Sequence, residues 1–266
     1  MINKYVLLLT ALSIISASMT ARAMDVDTTV YAGLEEYQWE EYDPTTGAQL
    51  LKENGPRVRA GLRLAPQLQS NLFALDYDVS LYEGAVNYSS QTTDQGTGAS
   101  IPTSSNTSYM GMDSHLDGIY TGFGEIIQPV LTLGFEGWRR SIDSRYVAES
   151  VGIVTMAGYT ENWAMFYTKL GGRGAAGRFS WAAGLKLPFY VTNTVDFIQA
   201  TVHPKGLVSG YAGMDYAFAK TWRVGLNYEG TRFGQSDSSN SIYGVNTVLQ
   251  PKSNEDVFML SLNKIF

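Results

Sequence analysis

The 266-residue chain contains no cysteine, only eight prolines and only two histidines. Without cysteine there is no disulfide framework, no thiolate metal site and no lipid-modified N-terminal cysteine. The two histidines, His115 and His203, lie far apart in the chain, so a histidine-rich metal centre is excluded, and neither a metal nor a cofactor is expected. Beyond the first 23 residues there is no apolar run approaching the ~20 residues of a membrane-spanning helix, and the helical period of apolar residues is nearly absent. Positive charge is also scarce: 19 Lys and Arg stand against 25 Asp and Glu, a formal net charge of −6. That balance argues against nucleic acid as a partner.

The first 23 residues have the anatomy of a cleavable secretory signal. Lys4 is the basic element, Tyr5 to Ala17 the apolar stretch, and Ala21-Arg22-Ala23 an A-x-A cleavage site. Residues 1–23 are therefore expected to be removed after Sec-type export, leaving 24–266 as a single domain. The composition of that domain, with 27 glycines and 17 tyrosines, favours strands edged by aromatic residues.

From Met24 onward the apolar residues recur with period two, which puts them on one face of a strand. In RVRAGLRL (57–64), Val58, Ala60, Leu62 and Leu64 face one way; Arg57, Arg59, Gly61 and Arg63 face the other. The same alternation sets Phe73, Leu75, Tyr77, Val79 and Leu81 against Asp76, Asp78 and Ser80. It sets Leu131, Leu133 and Phe135 against Thr132, Gly134 and Glu136, and Trp222, Val224, Leu226 and Tyr228 against Arg223, Asn227 and Glu229. Ten such segments are centred near residues 34, 60, 79, 116, 135, 165, 183, 213, 227 and 261, those at 116 and 165 having the most mixed faces.

The connections alternate in length. Short ones lie at 66–71, 125–129, 171–177 and 217–222; long ones at 43–55, 89–108, 141–158, 190–206 and 234–255. Gly171-Gly172-Arg173-Gly174 is read as part of a tight turn rather than a phosphate cradle. Charged residues on one face are too many for a dry core, and Trp and Tyr sit near strand ends as an interfacial girdle does. The expected fold is therefore all-β: a transmembrane antiparallel up-and-down barrel of ten strands in the outer membrane of a Gram-negative cell, both termini periplasmic. A soluble sandwich or lipocalin-like barrel would bury the apolar face instead.

The C-terminus carries a resemblance to bacterial outer-membrane proteins. Phe266, with Leu262, Leu260 and Phe258 at even offsets, is similar to the terminal signal read by the barrel-assembly machinery, except that Lys264 occupies a usually apolar position. That resemblance implies the assembly machinery, membrane lipid and lipopolysaccharide as partners. GFEGWRR (134–140) and VGLNYEGTRFG (224–234) resemble segments of uncharacterised proteobacterial barrels, which implies no activity.

The inward faces supply the candidate chemistry. They carry the acids Glu35, Asp76, Asp78, Asp113, Asp117, Glu136, Asp215 and Glu229, the bases Arg57, Arg59, Arg63, Lys186 and Arg223, and His115. A ten-stranded lumen is narrow, so these charges are expected to pair as a ladder. Asp76/Asp78 and Asp113/His115 are also the candidates for hydrolysis, since a carboxylate pair and an Asp-His pair can hold and deprotonate water. The arrangement resembles the omptin outer-membrane proteases, although in omptins the two pairs face each other across the outer mouth and here they fall on neighbouring strands. His203, beside Pro204, lacks the serine and acid partners of a lipid A deacylase.

The segments 89–108 and 234–255, rich in Ser, Thr, Asn and Gly, read as solvated, mobile loops. VGIVTMAG (151–158) and 190–202 carry apolar residues suited to capping the mouth or lengthening strands. Loops 89–108, 190–206 and 234–255 are the candidates for an extracellular ligand. The leading expectation is a structural or surface-interaction barrel with a charge-lined lumen. A small-solute channel and a barrel-embedded hydrolase are the alternatives.

Overall fold

A computed structural model describes residues 26–66, 72–240 and 247–266; the leader at 1–23 and the start of the mature chain at Met24 lie outside the described residues. Ten long strands follow in chain order. They are β1 (Val26–Tyr42), β2 (Gln49–Pro66), β3 (Phe73–Thr93), β4 (Ser100–Tyr120), β5 (Gln128–Ile142), β6 (Tyr159–Ala176), β7 (Phe179–Val195), β8 (Ser209–Ala219), β9 (Trp222–Gly234) and β10 (Lys252–Ile265). Each pairs antiparallel with its chain neighbours, and β1 closes the ring on β10 from Thr29↔Ile265 to Tyr42↔Lys252. Closure leaves no sheet edge, which a strand in hydrocarbon requires because no water is present to satisfy free N–H and C=O groups.

Each of the ten predicted segments falls on one of these strands. The outward face is the apolar one: Leu34, Val58, Phe73, Leu116, Leu133, Leu170, Leu185, Phe189, Leu226, Phe258 and Leu260 are all exposed. The inward face holds buried charge and aromatic rings. This is the reverse of a soluble β-barrel.

The start of β1, the end of β10 and the tight turns at 121–127, 177–178 and 220–221 lie at one end of the barrel, here the near end. The strands are longer toward the far end than the sequence suggests. β3 and β4 have 21 residues each, against the ~9–11 that cross a bilayer. Near their middles the outward side chains change from apolar to polar at a ring of exposed residues, Glu36, Glu83, Arg139 and Asn162. Beyond that ring the wall stands clear of the apolar belt.

The long loops of the sequence are accordingly shorter, the one at 190–206 because β7 runs on to Val195. Of 43–55 only 43–48 connects strands, and of 89–108 only 94–99. Both connections have the pattern Asp-x-x-Thr-Gly-Ala and the same hydrogen bonds. Asp43 Oδ1 accepts the N–H groups of Thr45 and Thr46 at 2.8 and 2.7 Å, and Asp94 Oδ1 those of Gly96 and Thr97 at 2.8 and 3.0 Å. Gly47 and Gly98 each take φ +73°, which glycine adopts without penalty. A polar sequence suffices here because the backbone ladder, not an apolar face, holds a strand whose outer side meets water.

The run Gly171-Gly172-Arg173-Gly174 is likewise not a turn. β6 continues through it to Ala176, and the turn is at 177–178. Gly171 is needed for close approach, since a Cβ there would lie 2.5 Å from the Tyr211 hydroxyl and 2.8 Å from the Gly184 Cα.

Tyrosines span the inner wall in a repeated way. Tyr31 of β1 lies over its directly paired Gly61 of β2, and its hydroxyl donates to Asp78 of β3 at 2.8 Å. Tyr82 of β3 lies over Gly111 of β4 and donates to Glu136 of β5 at 2.8 Å. Tyr167 of β6 lies over Gly134 of β5 and donates to Asp113 of β4 at 2.7 Å. Each ring covers a glycine that would otherwise weaken the strand, and each hydroxyl ties a carboxylate two strands away.

Candidate functional site: the lumen and its far-end closure

The side chains inside the barrel form three levels. At the near end, Asp78 accepts from Arg63 Nε at 3.1 Å and from Tyr31, Asp76 is paired with Arg173, and Asp117 accepts from Thr132 Oγ1 at 2.6 Å. Asp215 accepts weakly from Asn263 at 3.4 Å and lies within electrostatic reach of Arg63 and Arg223.

At the middle level Glu35 holds Arg57 at 2.8 Å and also Arg59, whose Nη1 donates to Ser80 at 2.8 Å. Lys186 contacts Glu229 at 2.6 Å and Glu136 at 3.6 Å and donates to Thr231 at 3.0 Å, while Lys169 contacts Glu229 at 2.5 Å. His115 Nδ1 is 2.9 Å from Asp113 Oδ1.

The third level, above the exposed Glu36–Glu83–Arg139 ring, was not foreseen. Arg140 of β5 is fully buried and reaches three acids, Glu53 of β2 at 2.9 Å, Glu41 of β1 at 3.0 Å and Glu161 of β6 at 3.0 Å. Those acids are held in turn. Trp39 Nε1 donates to Glu41 and Trp163 Nε1 to Glu161, both at 2.9 Å, and Glu53 accepts from Thr107 at 2.8 Å and from Tyr109. Around them the bore is packed with rings. Trp39 of β1 lies 5.3 Å from Trp163 of β6, which stacks on Trp138 of β5 at 5.2 Å, and Phe233 of β9 lies 5.8 Å from Trp39. Strands β1 and β9 on one wall thus touch β5 and β6 on the opposite wall through side chains alone.

The residues of this level share the inward parity of the lumen residues below them on the same strands. Arg140 is four from Glu136, Glu53 four from Arg57, and Glu161 eight from Lys169. Glu53 lies in the 43–55 stretch, which reads as a loop, where parity has no meaning; Glu41 and Arg140 stand at the edges of the loops 43–55 and 141–158, and Glu161 begins the mixed-face sixth segment. Lys169 belongs to the sixth segment, which mixes both faces, and Arg173 to the 171–177 stretch, which reads as a turn.

The hydrolytic candidates come together as neighbours, not across a cleft. Asp78 pairs in register with His115 and Asp76 with Asp117. The carboxylates of Asp76 and Asp78 are engaged by arginines, and all four residues lie inside the bore, below the aromatic level. His203 sits near the far end with Nδ1 3.3 Å from the Val191 carbonyl. Among the described residues no group of three or more His, Cys, Asp or Glu is placed to hold a metal ion.

At the far end, a hairpin (Arg145–Glu149 with Gly152–Met156) docks on the 94–99 turn. Asp94 accepts Ser150 Oγ–H at 2.6 Å and Ser150 N–H at 2.8 Å. Those bonds, with the turn's own N–H groups, hold the Asp94 carboxyl well below the usual carboxylate range. The outer face of the hairpin is apolar, with Tyr146, Val151 and Ile153 exposed.

No protein-family model and no curated protein sequence matches the chain. Solved structures do. The outer-membrane protease OmpT of Escherichia coli superposes with a TM-score of 0.55 over 92% of this chain and 98% of that one, at 13% identity. The fold is that of an outer-membrane β-barrel. At such identity the likeness extends to architecture alone. The translocator domain of the autotransporter NalP of Neisseria meningitidis also matches, over 97% of this chain and 95% of that one, at 9% identity and a TM-score of 0.44. In this barrel the rings of β1, β5, β6 and β9 meet across the upper bore, and the exposed hairpin crowns it.

Proposed function

We propose that the chain is a closed, non-conducting outer-membrane barrel that acts through its far end, as a surface-interaction protein. The near end, with both termini, faces the periplasm, and the tall far end stands outside the cell. The short-turn and long-wall asymmetry supports that orientation. The exposed apolar outer face of the 145–156 hairpin supports a partner of the cell exterior, because a contiguous exposed apolar surface is a common mark of an interaction site. The terminal strand, with Phe258, Leu260, Leu262 and Phe266 outward, supports recognition by the assembly machinery, and Lys264 is accommodated by a 2.8 Å bond to Thr221 Oγ1 with its ammonium 5.0 Å above the Trp222 ring. The apolar belt rests in membrane lipid, with lipopolysaccharide in the outer leaflet.

The observation that carries the closed reading is the Trp39–Trp163 contact across the bore, backed by Arg140 and its three acids. A continuous aqueous path, which a porin needs, would have to pass through fully buried rings. In planar bilayers the refolded protein is expected to be silent, whereas a Trp39→Ala/Phe233→Ala double variant is expected to open steady single channels. Steady conductance of the native protein would overturn the proposal in favour of a small-solute channel.

A further inference from the structure

Beneath the aromatic closure lies a cavity of about 250 Å³ that runs down the middle and near levels of the barrel. Its blind upper end is bounded by Glu255, Thr231 and Glu136, and its lower end by Arg173, Asp215 and Asn263. It opens toward the near end, where the Arg63 side chain is 47% exposed, against 1% for that of Lys186 above it.

The charges lining this space do not balance. Eight carboxylates face five Lys and Arg side chains, with His115 already committed to Asp113. All five cations are engaged: Arg59 by Glu35, Arg63 by Asp78, Lys169 by Glu229, Arg173 by Asp76, and Lys186 by Glu136 and Glu229. Asp117, Asp215 and Glu255 are left without an ion pair; Asp117 accepts from Thr132 and Asp215 from Asn263, which leaves Glu255. It is 4% exposed and borders the cavity; Arg57 and Lys186 lie within its electrostatic reach, opposed by Glu136 and Glu229, and its carboxylate makes no direct hydrogen bond or ion pair among the described residues. A buried carboxylate without a direct partner is costly, and its position at the end of an open cavity lets a cation from outside offset that cost.

We infer that the cavity binds a small aliphatic ammonium compound, seated head-first on the Glu255 carboxylate. Three observations select an organic ammonium over a metal ion. No metal-binding group of acids or histidines exists among the described residues. The volume is several times the ~30 Å³ share of one water molecule. Val257, Met259 and Ala182 give part of the wall an apolar surface for an alkyl chain. The orientation proposed above makes the periplasm the source of the ligand, but binding itself does not depend on that orientation.

The test is isothermal titration of the refolded full chain in detergent micelles with putrescine, with 1,4-butanediol and potassium chloride as separate titrants. Putrescine is expected to bind saturably at one site, butanediol and potassium are not, and Glu255→Gln should weaken putrescine by about tenfold or more, as loss of a charge-assisted contact implies. Glu255→Gln removes an unpaired charge and keeps the shape, and retention of the heat-modifiable folded band on a gel checks that it folds. A parallel measurement, a rise in the urea midpoint of the native protein with putrescine but not with butanediol, needs no variant. Absence of saturable binding, equal affinity in Glu255→Gln, or equal binding of potassium would each overturn the inference.

Discussion

Removal of Arg140 is the sharpest test of how the far half of the barrel is held. In Arg140→Met the side chain keeps much of its volume while the guanidinium is lost, leaving Glu41, Glu53 and Glu161 buried together without a counter-charge. Breaking a buried ion pair from one side costs about 3–5 kcal/mol, because the remaining charge is uncompensated. Three carboxylates do not triple that cost, since Trp39, Trp163, Thr107 and Tyr109 remain as neutral donors to them. The expected destabilisation is therefore about 3–5 kcal/mol, to be read from urea unfolding of the refolded protein in micelles by tryptophan fluorescence. Trp39, Trp138 and Trp163 border the perturbed site and act as reporters. Glu53 accepts from both Nε and Nη2 of the guanidinium, so adding Glu53→Gln to Arg140→Met should restore a substantial part of the loss. A loss below ~1 kcal/mol, the range of an exposed pair, or no recovery in the double variant, would refute the view that a desolvated ionic cluster closes the bore.

Two further outcomes follow from local geometry. Gly61→Val should displace the Tyr31 ring from its strand, break the Tyr31–Asp78 bond and cost about 1–3 kcal/mol in the same urea assay, as overpacking does; an unchanged midpoint would show that the ring does not need the glycine. The depressed Asp94 carboxyl contributes stability to hairpin docking that is present above its unfolded-state value and is lost only as pH falls through its lower folded-state value. The Ser150 amide resonance should therefore hold its bonded position through mild acid and move only in strong acid, and in Asp94→Asn it should lose that transition. A midpoint at the ordinary Asp value of about 3.9 would contradict the docking geometry.

What could be read from the sequence, and what could not, divides at the level where the outer wall leaves the bilayer. Inside the belt, lipid forces every second residue to be apolar, and this constraint made all ten strands and most of the inward set legible, Lys169 and Arg173 excepted. Above it, water meets the outer face, the alternation fades, and Ser-Thr-rich stretches of β3 and β4 look like loops although their backbone ladder is unbroken from Ala85↔Ser108 to Thr93↔Ser100. The Asp-x-x-Thr-Gly-Ala turns were the available signal there, since an aspartate that caps its own turn and a glycine four residues on mark a tight connection rather than a long loop.

The inward face above the belt obeys a different rule from the one below it. Below, small and charged residues leave the 250 Å³ cavity; above, Tyr37, Trp39, Trp163 and Phe233 fill the bore and are almost wholly buried. Lipid cannot stabilise the wall at that height, so the upper barrel must supply its own core, and a wall with water on its outside can have that core only inside. The aromatic closure is thus what allows a barrel to rise beyond its membrane, and the same rings that stabilise the extension block the passage. For this chain, height and conduction are opposed, which is why the double variant that opens the bore should also be the one that loosens the far end.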